Sequence, residues 1–163
     1  MPFVSVKGLK PVLVFIAVLS LSATLFSETR INKVSEAFHQ AEDFLRIPEF
    51  FTGKEYFGKQ FIVRTNKERS GFYFAMELNK PASDLPEECN VLIQVVRSDR
   101  PAPQSYRLPL GVANHSRKEI LLGITGEDWN SPEIKPLAWR IELRTGSGNL
   151  LASKQSFLWG HPK

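Results

Sequence analysis

The sequence predicts a mainly β protein: an antiparallel β-sandwich of about seven strands, preceded by an N-terminal apolar helix and a short amphipathic one. Three observations predict it. From Phe50 onward, apolar residues alternate with polar ones instead of recurring at helical spacing. Prolines and glycines fall between the alternating runs and punctuate them. The uncharged stretch "PVLVFIAVLSLSATLF", Pro11 to Phe26, stands apart at the N-terminus behind Lys7 and Lys10. The layout is a short basic tail over 1–10, an apolar helix over 11–27, a juxtamembrane amphipathic helix over 28–47 and a sandwich domain over 48–163.

The apolar run is uniform on every side of a helix, unlike a helix that packs one face on a soluble core. From Pro11 to Ser27 it offers 17 residues, the short end of a transmembrane span, with Lys10 and Arg30 placed to snorkel. A cleaved signal peptide is the alternative. Lys7 and Lys10 make a basic start, and "SLS" at Ser20 to Ser22 puts small residues before Ala23. Either way the remainder is exported. The excess of lysine ahead of the run places the N-terminus inside and the β domain outside a single-pass membrane protein; after cleavage it becomes a secreted or periplasmic one.

In "ETRINKVSEAFHQAEDFLRIP", Ile31, Val34, Phe38, Ala41 and Leu45 recur at spacings of 3, 4, 3 and 4. That is the a/d seam of a heptad pattern and predicts a helix over 29–45, with Pro48 as its stop. The seam either lies on the protein's own domain or continues the membrane helix as a stalk. A weak homodimer through those five residues is the functional alternative, limited by how marginal so short a helix is.

The strands follow in order. "GKQFIVRT" opens the series. In "GFYFAMEL", Phe72, Phe74, Met76 and Leu78 point one way, with Tyr73, Ala75 and Glu77 opposite. "NVLIQVVR" sets Val91, Ile93 and Val95 on one face; "QSYRLPL" and "EILLGIT" are shorter. Trp139, Ile141 and Leu143 alternate with Arg140, Glu142 and Arg144, and "GSGN" (Gly146 to Asn149) supplies a hairpin loop into a last strand that ends near Trp159. The layout from Gly58 to Trp159 resembles the immunoglobulin and fibronectin type III class of extracellular modules. With one cysteine, Cys89, the immunoglobulin disulfide is impossible, which favours the fibronectin-like side. Such sandwiches host many functions, so the resemblance implies a fold alone.

Composition narrows the function classes. The chain is 42% hydrophobic and 23% charged, a globular balance. Its net charge of +4 loses half its weight because Lys7 and Lys10 belong to the tail; the rest sets 19 of the 21 basic residues against 17 acids. No basic track for nucleic acid stands out. Cys89 lies at the mouth of a strand beside Glu87 and Glu88, which disfavour a thiolate. His39, His115 and His161 are scattered without metal-ligand spacing. No G-x-S-x-G elbow occurs, and "GSGN" lacks the lysine and helix of a phosphate loop. The acidic pairs Glu42–Asp43, Glu87–Glu88 and Glu127–Asp128 are sequence neighbours, which a strand would point to opposite sides. The reading is a non-enzyme with no cofactor and no metal.

Two segments attract attention as contact surfaces. Arg97 to Lys118 carries five basic residues and one acid, whereas Glu119 to Glu133 carries four acids and no base. The first suits an acidic partner patch, an acidic glycan or anionic lipid. In the second, Glu127, Asp128, Asn130 and Glu133 surround Trp129 in a loop whose oxygens suit calcium and whose indole suits sugar stacking. Arg97, Arg100, Tyr106, Arg107 and Trp129 are therefore the candidate partner-binding residues. The expected function is a protein–protein interaction module at the cell envelope; the alternative is a secreted glycan- or calcium-dependent ligand-binding module.

Overall fold

The computed structural model describes residues 28–111 and 115–160. The basic tail and the apolar run lie outside the described residues, as does His161. Among the described residues, no helix is long and apolar enough to cross a membrane.

Among the described residues, eight strands form two sheets of four. They are β1 (Ile31–His39), β2 (Phe61–Arg64), β3 (Gly71–Leu78), β4 (Glu88–Arg97), β5 (Arg100–Gly111), β6 (Glu119–Thr125), β7 (Pro136–Thr145) and β8 (Leu150–Gln155). The first sheet runs β1-β3-β6-β2 and the second β5-β4-β7-β8. All neighbours are antiparallel except β2 and β6, which are parallel. The alternation read from the sequence sets the core. Phe74, Met76 and Leu78 of β3 face Val91, Ile93 and Val95 of β4 and Ile141 and Leu143 of β7, all fully buried in one cluster. Each such side chain contributes about 1.5–3 kcal/mol by leaving water. The last strand pairs with β7 through a turn in which Gly148 takes φ +91° and Asn149 donates its N–H to Thr145 Oγ1 at 3.1 Å. Pro101, Pro103 and Pro109 sit in β5, which only an edge strand tolerates.

The predicted helix over 28–47 is corrected by the structure: Ile31–His39 is a strand, and only a 3₁₀ turn, Ala41–Phe44, follows it. The register explains how a strand mimics a heptad. Val34, Glu36 and Phe38 stand opposite Met76, Phe74 and Phe72, so they share β3's inward face. An irregularity between Ile31 and Lys33 inserts one residue, which brings Ile31 onto that face as well. A spacing of three across a bulge and of four without one is thus compatible with a strand. The supposed dimer seam is the core side of β1: Ile31 is buried, and Val34 and Phe38 pack on the core. Leu45 lies beyond, exposed. Pro48 does not stop a helix; it stands in the first turn of a short one, α1 (Ile47–Thr52), closed by Gly53 at φ +64°.

β1 and β2 run in the same direction at opposite edges of the first sheet. The chain between them, residues 40–60, therefore returns as a strap across the outer face of β3 and β6. Its inner side explains Tyr73, which the alternation places outward yet which is 1% exposed. The ring packs against Phe44 at 4.9 Å and His39 at 5.6 Å between centroids, and its hydroxyl donates to the Arg69 carbonyl at 2.7 Å. Arg69 binds Glu49 at 2.6 Å and Glu55 at 3.2 Å, and Arg64 binds Glu55 at 2.7 Å, so these two of the strap's four carboxylates turn inward. The Arg69 hydrogen bond holds the Glu49 carboxyl below its ordinary value.

Gly123 in β6 leaves room for that ring: a Cβ there would stand 2.5 Å from Tyr73 Cε1. Replacing Gly123→Ala is expected to destabilise the domain by about 1–3 kcal/mol through overpacking, measured by urea denaturation, and to cost less in a Tyr73→Ala background. Burial pushes the Tyr73 phenol up from 10.0 to about 12, with Arg64 pulling the other way. A raised phenol contributes stability below its ordinary value and loses it as pH rises through the folded one. Phenolate absorbance should therefore show a group ionising only near pH 12 together with unfolding, and Tyr73→Phe should remove that step.

Candidate functional site

Of the five predicted contact residues, the structure brings three together, Arg97 and Trp129 inside the protein and Tyr106 half-buried beside them. β4 points residues 89, 91, 93, 95 and 97 inward, so Arg97 enters the end of the core and is 2% exposed. Its guanidinium lies 4.5 Å from the centroid of Trp129, donates to Asp99 at 2.9 and 2.8 Å, to Tyr106 Oη at 3.4 Å, and to the Asp128 carbonyl. Tyr106 stands opposite the inward Ile93 and packs on the core. Trp129 is fully buried and stacked on Phe72 at 4.6 Å. The loop achieves this with a 3₁₀ turn, Gly126–Asp128, begun by Gly126 at φ +60° and closed by the Trp129 N–H on the Gly126 carbonyl. Arg97, Tyr106 and Trp129 thus form a clamp at one end of the sandwich, and the reading of Arg97 and Trp129 as surface is corrected, while Tyr106 stays half-buried. An indole buried here offers no face to a sugar. The Asp128 carboxylate accepts from Asn66 Nδ2 at 2.8 Å, and among the described residues no three His, Cys, Asp or Glu side chains converge to hold a metal ion. Cys89 is a buried free thiol, and burial raises its pKa.

Arg100 and Arg107 are exposed. Arg107 belongs to the open outer face of the second sheet, whose composition follows from register. Across β5, β4, β7 and β8, one row reads Arg107, Leu92, Glu142, Ser153 and the next Ser105, Gln94, Arg140, Gln155. Glu142 is 3% exposed because two guanidiniums cover it, Arg140 at 2.5 Å and Arg144 at 2.6 Å. Three arginines against Glu142 and, at the end of β4, Glu88 give this face a positive excess, and the shared Glu142 fixes two of them in direction. Arg107 lies two strands away, about 10 Å from Glu142 along the row.

The outer side of the strap is a second surface, which the sequence pattern does not reveal because it divides the segment between a helix end and the start of the alternating region. Ile47, Phe50 and Phe51 of α1 are 75%, 76% and 85% exposed, and Tyr56 and Phe57 continue the ridge. The signal available in the sequence was the run "IPEFFTGKEYFGK", more apolar than a solvated connection requires. Lys54 and Lys59 are exposed beside it. Where the strap meets β2, Gly58 to Gln60 and His115 to Arg117 line an open depression of about 600 Å³, with His115 stacked on Phe61 at 3.9 Å. The chain matches no known family model, no curated protein and no solved structure.

The clamp generates a test. Arg97→Ala removes a cation–π contact and the hydrogen bond to the Asp128 carbonyl, an expected loss of about 1–3 kcal/mol with a change in Trp fluorescence as Trp129 loosens. The Arg97 hydrogen bond holds the Asp99 carboxyl below its ordinary value. A lowered carboxyl contributes stability above its ordinary value and loses it as pH falls through the folded one. Thermal melts across the acid range should show that loss, and Asp99→Asn should flatten it.

Proposed function

We propose that this chain is a non-catalytic interaction module of the immunoglobulin or fibronectin type III kind, displayed at a cell envelope. Topology supports the class. Writing β1, β3, β4, β5, β6, β7 and β8 as A, B, C, C′, E, F and G gives sheets A-B-E and C′-C-F-G. β2 occupies the place beside E that strand D takes in an immunoglobulin domain, but it arrives from the A–B connection. The apolar run Pro11–Phe26 supports export and a tether.

The observation that carries the functional reading is the outer face of the second sheet. A sheet face with Arg107, Arg140 and Arg144, two of them oriented by a buried Glu142, is a prepared receptor for carboxylates on a partner protein. The sugar-binding alternative depended on Trp129 as a platform, and that residue is part of the core. The test is recovery of a partner from source membranes with the full chain as bait. Arg107→Glu should lower recovery several-fold, since like charges then face each other, and should leave the melting temperature unchanged because the residue is exposed. Undiminished recovery would sink this surface.

A further inference from the structure

We propose that the strap and the basic depression beside it form a contact surface for the headgroup region of an anionic bilayer. Three observations converge on it. The ridge of Ile47, Phe50, Phe51, Tyr56 and Phe57 is apolar, mostly aromatic and convex from solvent, as side chains that settle at headgroup depth are. Over residues 47–60 the free charge is basic, with the exposed acids Glu42 and Asp43 before that span and Glu119 beside Lys59 and Arg117. Glu49 and Glu55 are held on Arg69 and Arg64 beneath the strap, whereas Lys54 and Lys59 stand exposed, and the depression adds His115 and Arg117 to Lys59. Phosphate oxygens match that set of donors.

Chain length supplies the third. The apolar run ends at Phe26 and the fold begins at Ile31. Five residue steps span at most about 18 Å, so a run seated in a bilayer holds the sandwich against the surface. β1, the strand the tether enters, is an edge of the very sheet the strap covers. With that face down, the arginine face of the second sheet points away from the bilayer. The inference rests on the reading of Pro11–Phe26 as a membrane segment, and the experiment separates the two.

The full chain is placed with lipid discs of phosphatidylcholine alone or with about one third phosphatidylglycerol, and amide hydrogen exchange is followed by mass spectrometry. The expected result is slowed exchange over residues 47–60 on anionic discs only. Reversing Lys54, Lys59 and Arg117 to Glu should abolish it, each charge being worth roughly a fivefold change in surface affinity, and Phe50→Ser with Phe51→Ser should weaken it while the melting temperature holds. Equal exchange on both discs, with the chain resisting carbonate extraction, overturns the proposal and leaves the ridge to a protein partner. A chain released by carbonate refutes the anchor instead; flotation with anionic vesicles, using the same variants, then decides on the strap.

Discussion

Two strands at opposite edges of one sheet run in the same direction, and most of what distinguishes this protein follows from that. A chain leaving β1 at one end must regain the other end before β2 can begin, so a segment has to recross the sheet's outer face. An outer face that is crossed becomes a second, thin core. Tyr73 fills it, Gly123 makes room for Tyr73, and Glu49 and Glu55 of the strap meet the two arginines they find there. With Glu49 and Glu55 engaged below, Ile47, Phe50, Phe51, Tyr56 and Phe57 are left facing outward beside Lys54 and Lys59.

The legible part of the fold was the part whose burial is simple. β3, β4 and β7 each have one inner face against the opposite sheet, and their alternation reads directly as Phe72 to Leu78, Val91 to Val95 and Trp139 to Leu143. β1 was not legible because a bulge converts period two into a spacing of three, the same spacing a heptad uses. The contact residues failed for a related reason. Arg97 continues the inward parity of Val91, Ile93 and Val95, so the pattern itself placed a charge in the core; its charge argued for the surface, and the pattern prevailed. Trp129 depended on a turn around Gly126 that no periodicity announces. The charge of its segment singles out Arg107, and the register places it on an outward position of an edge strand.

The sandwich separates two kinds of chemistry by its own thickness. Aromatic and aliphatic surface with lysines lies over the first sheet, and guanidinium groups arranged around a carboxylate lie on the second. The clamp of Arg97, Tyr106 and Trp129 sits between the sheets at one end and ties β4 and β5 to the loop that follows β6. Because β5 is an edge rich in proline, that tie also anchors a strand with few hydrogen-bonding neighbours of its own.

β1 has a mechanical meaning as well. Lys154 on β8 donates to the carbonyls of Ile31 and Asn32, which clips the entrance of β1 to the second sheet at the bulge. A pull applied at Glu28 would act along the axis of β1, across a ladder whose bonds to β3 run at right angles to it. All rungs would then resist together in shear instead of opening one by one. For a domain held by its N-terminal end, that geometry makes the first strand a grip rather than a loose thread.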